Sequence, residues 1–183
     1  MPPKHSQSTD FSPLEVVFDQ CYPAIYRYFR FRGTDQQMAN DLASSVFERA
    51  LSKFHLYDQR KADVRTWLFS IARNIAINSW KKGETNPTVS IDDEELLTLD
   101  DAGHLEKEIV LKQEKEDVVK ALQHLDKRSS EIIALKFGGE FTNRKISELT
   151  GLSESNVGVI LYRSILKLRQ ILAETQSEAN NES

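Results

Sequence analysis

Cys21 is the only cysteine of the 183 residues, and the four histidines, His5, His55, His104 and His124, stand far apart. A single thiol excludes an internal disulfide and a cysteine-based zinc site, and the imidazoles lack the short spacing that lets two ligands share a metal. The densest carboxylates, Asp92, Asp93, Glu94 and Glu95, have no second cluster to complete a coordination shell. Their stretch also contains Gly and Pro, where adjacent acids make a solvated surface. No Gly-rich phosphate cradle and no nucleophile beside a base can be found. Catalysis, a metal and a cofactor are therefore not expected.

The chemistry on offer is recognition. The stretch TNRKISELTGLSESNVGVILYRSILKLRQIL (residues 142–172) reads as two helices joined by a tight turn. Gly151 falls where the first helix must end, and Ser153 can cap the second by accepting from the N–H of Ser155 or Asn156. Val157, Ile160, Leu161, Ile165, Leu168 and Leu172 recur at three- and four-residue steps, the spacing of one buried face. The other face carries Ser155, Asn156, Val159, Tyr162, Arg163 and Lys167. That arrangement matches a helix-turn-helix, whose second helix enters the DNA major groove. Ser155, Asn156, Tyr162 and Arg163 are then the candidates near base edges, with Ser153 and Val159 beside them on the DNA-binding face and Arg144, Lys145 and Lys167 on phosphates. Taken alone, the motif also fits an ordinary helical hairpin.

The elements that position these residues are helical throughout. Gly and Pro are scarce and strand-like alternation is nearly absent, so the fold expected is all-α. Residues 1–10 are polar and expected to be disordered. Residues 11–31 carry apolar positions at helical spacing, interrupted by Pro23, and predict one kinked helix or two short ones ending at Gly33. Asp35 is expected to cap a long helix reaching Phe54. Residues 55–62 read as a loop, and VRTWLFSIARNIAINSWKK (residues 64–82) as a helix whose polar side is basic. Residues 83–103 contain Gly, Pro and clustered acids and predict a flexible acidic linker. Helices are expected over 104–125 and 127–137, the second stopped by Gly138-Gly139. Residues 173–183 predict a frayed tail. The result is two small helical domains, 11–82 and 104–172, with the helix-turn-helix in the second.

A net charge of −4 is unusual for a DNA-binding chain, but the charge is divided. Between Arg49 and Lys82 bases dominate, while acids dominate from Glu84 to Asp117. A basic face can therefore meet phosphates although the average is acidic. No apolar run is long enough to span a bilayer, and the N-terminus has no signal-peptide core, so a cytoplasmic protein without membrane insertion is expected.

With NDLASSVFERALSKF, RTWLFSIARNIAINSWKK, an acidic linker and LDKRSSEIIALKFGGEFTNRKISELTGLSESNVGVILYRSILKLRQIL in this order, the chain resembles the extracytoplasmic-function sigma factors. These form the two-domain branch of the sigma-70 family. The resemblance implies a factor that binds core RNA polymerase and promoter DNA and is held by an anti-sigma factor. The first domain would read and melt the −10 element, and the helix 153–172 would read the −35 element. The helix holding Asp41, Leu42, Phe47 and Glu48 would dock on polymerase. The loop 55–62 and the next helix would face the non-template strand, bringing Arg60, Lys61, Arg65, Trp67, Arg73, Asn74, Asn78, Lys81 and Lys82 to DNA. A base flipped out of the stack there could be held by pocket contacts. The sequence departs from the family pattern at Ser44-Ser45, at Gly158-Val159 and at Arg163-Ser164-Ile165. A stand-alone helix-turn-helix regulator is the alternative.

Overall fold

The structure, a computed structural model, describes residues 12–81 and 117–181. The expectations for residues 1–10, for the linker 83–103, for the helix start over 104–116 and for Lys82 lie outside the described residues. Every regular element among the described residues is helical.

Helix α1 (Ser12–Phe31) runs through Pro23 without dividing in two. Pro23 and Asp19 are both exposed, so the carbonyl that proline's missing N–H leaves unpaired can be hydrated. Gly33 then takes a positive φ of 84°, and Thr34 Oγ1 donates to the Phe29 carbonyl at 2.8 Å to fix the turn. Helix α2 (Gln36–Lys53) starts on Asp35, whose carboxylate accepts from Met38 N–H at 2.7 Å. A short 3-10 turn, Phe54–Leu56, leads into the expected loop. Helix α3 (Val64–Lys81) starts on Asp63, which accepts from both the N–H and the hydroxyl of Thr66, at 2.8 and 2.7 Å.

In the second half, α4 covers residues 117–123. Helix α5 (Lys127–Ile133) is capped by Asp126 and widens into a π turn, Ala134–Gly138, where Gly139 N–H reaches the Ala134 carbonyl at 2.9 Å. Helix α6 (Asn143–Thr150) and helix α7 (Glu154–Asn181) complete the chain. Helix α7 corrects the frayed tail expected from residue 173. The apolar stripe fades after Leu172, but Ala, Glu and Gln favour the helix. Gln170 also bonds Glu174 at 2.9 Å, one turn on.

Side chains from α1, α2 and α3 make the first layer of core, among them Ile25, Tyr28, Phe29, Val46, Leu68 and Phe69. Burial of each large apolar group contributes on the order of 2 kcal/mol. The same cluster continues without a break into Ile132, Ile133, Leu135, Phe141, Ile146, Val157 and Leu161 of the second half. The two halves therefore pack directly against each other. Leu51 and Ile77 are exposed.

Candidate nucleic-acid interface

The turn of the helix-turn-helix is built by local hydrogen bonds. Thr142 caps α6 by accepting from Lys145 N–H at 3.2 Å. Gly151 takes a left-handed φ of 75° and returns its N–H to the Ser147 carbonyl at 2.9 Å. The Ser147 hydroxyl donates across the turn to the Leu152 carbonyl at 2.6 Å. Ser153 then accepts from Asn156 N–H at 3.2 Å, starting α7 as its sequence predicts. Ile146, Val157 and Leu161 pin both helices to the core.

This geometry leaves one face of α7 open. Ser153, Ser155, Asn156, Val159, Tyr162, Arg163 and Lys167 are all exposed, and so is Arg144 on α6. Lys167 Nζ donates to the His124 carbonyl at 2.6 Å, which ties α7 to the end of α4. Lys145 is turned aside from the rest. Its ammonium pairs with Glu148 at 3.1 Å and with Asp63 of the first half at 3.6 Å. The hydrogen bond that Lys145 donates to Glu148 is the main cause that raises the Lys145 pKa. Burial pushes the Asp63 carboxyl upward, but hydrogen bonds from Thr66 and the Lys145 charge outweigh it and hold the pKa below the usual value. A cleft of about 410 Å³ lies between the start of α5 and α7, lined by Arg128, Asn156, Arg163 and Lys167.

On the first half, the sequence assigns α3 a single basic face, and the structure divides it. Trp67, Asn74 and Asn78 lie on one side of the helix. Asn74 and Asn78 are exposed, and Trp67 packs on Tyr57 with ring centroids 5.0 Å apart. Phe54 closes the trio at 5.7 Å from Tyr57. Arg60 and Lys61 are exposed in the adjoining loop, where Arg60 pairs with Asp58 at 3.1 Å. Lys81 ends α3. Arg65 and Arg73 lie two turns apart on the opposite side, facing the second half rather than the surface that carries Asn74 and Asn78. Arg65 Nη2 donates to the Gly139 carbonyl at 2.7 Å, and Arg73 Nε to Glu131 at 2.6 Å. Spacing along the sequence could have separated these two sets, since residues 65, 69 and 73 share one stripe and 67, 74 and 78 the other.

On α2, Asp41 and Glu48 are exposed and Leu42 is half-buried. Phe47 faces inward at 9% exposure, 4.9 Å from Phe18 and 5.6 Å from Tyr22 between ring centroids. Its position is that of a core residue behind the surface that Asp41, Leu42 and Glu48 form. Among the described residues no group of His, Cys, Asp and Glu could hold a metal ion, and no helix is long and apolar enough to cross a membrane.

Two family models match, described as Sigma-70 region 2 over residues 17–85 and Sigma-70, region 4 over residues 115–168. The ECF RNA polymerase sigma factor BldN of Streptomyces coelicolor is 23% identical over 172 residues, which cover 93% of this chain and 64% of that protein. The RNA polymerase sigma factor YlaC of Bacillus subtilis is 26% identical, with 90% and 95% covered. The ECF RNA polymerase sigma factor RpoE of Cereibacter sphaeroides is 26% identical, with 88% and 87% covered. Among solved structures, the sigma factor RpoE in complex with the anti-sigma factor NepR from Bartonella quintana has the same fold. Its TM-score is 0.68 at 17% identity, over 88% of this chain and 98% of that one.

Proposed function

We propose how the work is divided in this chain, which belongs to the extracytoplasmic-function branch of the sigma-70 family and directs RNA polymerase to promoters. Helix α7 reads the −35 element from the major groove. Ser155, Asn156, Tyr162 and Arg163 approach base edges, while Arg144 and Lys167 hold phosphates. The observation that carries this assignment is the face of α7 just past the Ser153 cap, where every polar candidate is exposed. Gly158 adds support. A methyl group built there would meet only Asn143 Nδ2, at 3.9 Å, so no contact within the protein demands a glycine. Close approach of the α7 backbone to DNA would.

In the first half, the loop 55–62 and the side of α3 that carries Trp67, Asn74 and Asn78 hold the melted −10 strand, with Arg60, Lys61, Lys81 and Lys82 on phosphates. The Phe54–Tyr57–Trp67 trio offers an aromatic surface on which an unstacked base can lie. Asp41, Leu42 and Glu48 dock on core polymerase, with Phe47 supporting them from below. The chain acts by binding, without catalysis of its own, in the cytoplasm where polymerase works. An anti-sigma factor is the expected partner, as in the complex with NepR. The match to both halves in order favours this function over a stand-alone regulator.

Run-off transcription with purified core polymerase on a fragmented genomic template tests the proposal. Discrete transcripts that need the protein are expected, and their start sites give both promoter elements. DNA binding without any protein-dependent transcript would reject it.

A further inference from the structure

We propose that Val159 and Tyr162 make α7 a reader of thymine methyl groups. The −35 element that this chain selects therefore carries thymines at neighbouring steps of the major groove. This deepens the promoter reading proposed above and rests on it.

Most exposed side chains of α7 are polar, and the large apolar ones fall on a single line. Val159 is 43% exposed, Tyr162 66% and Leu166 45%. Their three- and four-residue spacing sets them one above another along the helix. The core does not claim them, since the buried positions Val157, Leu161 and Ser164 lie on the other side. Exposed apolar groups in a row mark a surface with something to meet.

The flanks of this line favour DNA. On one side stand Arg163 and Lys167, with Arg128 of α5 across the cleft. Asp126, the acid in that cleft, is engaged in capping α5. On the other side is Gly158, where an added methyl would lie 3.9 Å from Asn143 Nδ2, next in sequence to the exposed Arg144. A helix in the major groove has a phosphate strand on each side, so an apolar line between two cationic flanks suits it. A protein partner would have to bring acids to both flanks of an apolar ridge.

Position along α7 selects the contact. Val159 and Tyr162 stand about 9 and 14 Å along the axis from the Ser153 cap. Their axial separation of about 4.5 Å is close to the rise of about 3.4 Å between base pairs. In the major groove only thymine offers a methyl group, whereas the other bases present hydrogen-bonding edges alone. A donor or acceptor set against Val159 would lose its water and gain no partner. Leu166 lies about 20 Å from the cap, beyond the start of the helix that reaches base edges.

The test uses the full chain bound to core polymerase. Selection from a randomised −35 pool gives the preferred site, and titration follows on that site with deoxyuridine replacing each thymine. Uracil lacks only the methyl group and pairs as thymine does. Thymine should be enriched at two neighbouring steps, and uracil at either should weaken binding about four-fold, as expected for one buried methyl. Val159→Ser and Tyr162→Ser keep the helix propensity nearly constant. Each should abolish the uracil effect at one of the two steps, while Leu166→Ser should leave both at wild-type size. A selected site without neighbouring thymines, or wild-type binding indifferent to uracil, overturns the methyl reading and leaves the promoter reading standing. A uracil effect that persists in both serine variants overturns the assignment to these residues. If the serine variants bind the selected site as the wild type does, the line faces a protein partner and the proposal falls. Failure to enrich any sequence rejects the promoter reading, and this inference with it.

Discussion

Arg73 Nε lies 2.6 Å from Glu131 Oε1, and both side chains are more than four-fifths buried. The two residues stand 58 positions apart and belong to different halves of the chain. At this burial the pair is screened little by salt, and removing one partner leaves a charge with poor access to water. Arg73→Ala and Glu131→Ala should each destabilise the protein, and less than additively together. A double-mutant cycle in urea should give a coupling of about 1–3 kcal/mol. Additive losses would show that the pair contributes nothing of its own.

Tyr28 is buried beneath the π turn, and its hydroxyl has no hydrogen-bond partner among the described residues. Burial pushes its pKa up to about 12. A raised pKa means that its contribution is complete below pH about 10, the unfolded value, and is lost as pH rises toward 12. Tyr28→Phe should therefore match or exceed wild-type stability at pH 7. Above pH 10 it should gain on the wild type by up to about 2 kcal/mol. Urea melts at pH 7 and pH 11 check this, and a constant difference at both would rule it out.

Gly158 sits in mid-helix with room for a side chain. Gly158→Ala should stabilise the protein by about 1 kcal/mol, the difference in helix propensity. If the α7 backbone approaches DNA, the same variant should bind promoter DNA more weakly while melting at a higher temperature. Unchanged affinity would remove the DNA explanation for this glycine.

Arg163 and Arg144 are both exposed, yet they are assigned different work. Arg163→Ala should cost about 1–3 kcal/mol of binding and relax preference at one or two base pairs. Arg144→Ala should weaken binding evenly across sequences and lower the salt dependence. Selection from a randomised −35 pool distinguishes them. Identical sequence profiles for the two variants would contradict the division.

Much of the fold is legible in the sequence because its signals are local. Asp35, Ser153 and Gly151 each act within four residues, so spacing alone places both caps and the turn. Buried stripes such as Val157 and Leu161 follow from helical periodicity for the same reason. What spacing could not supply is the partner of a charge. Arg65 and Arg73 read as a DNA-facing surface because sign is visible in a sequence, whereas Glu131 and the Gly139 carbonyl become neighbours only through the docking of the halves. Phe47 is hidden for a related reason, since its stacking on Tyr22 comes from α1. The polar end of α7 misleads differently, since the apolar stripe fades there while Ala, Glu and Gln keep the helix going.

Glu140 follows the π turn with a φ of 54°, the one left-handed residue among those described that is not glycine. Glycine would be more comfortable there by roughly 1–2 kcal/mol, but it would leave Arg27 and Arg65 without their shared carboxylate. Local ease and long-range attraction thus pull this position in opposite directions. A substitution to glycine should make the bend itself better and the union of the halves worse. A sequence improved residue by residue for backbone comfort would discard the acid that ties two helices of one half to a turn of the other.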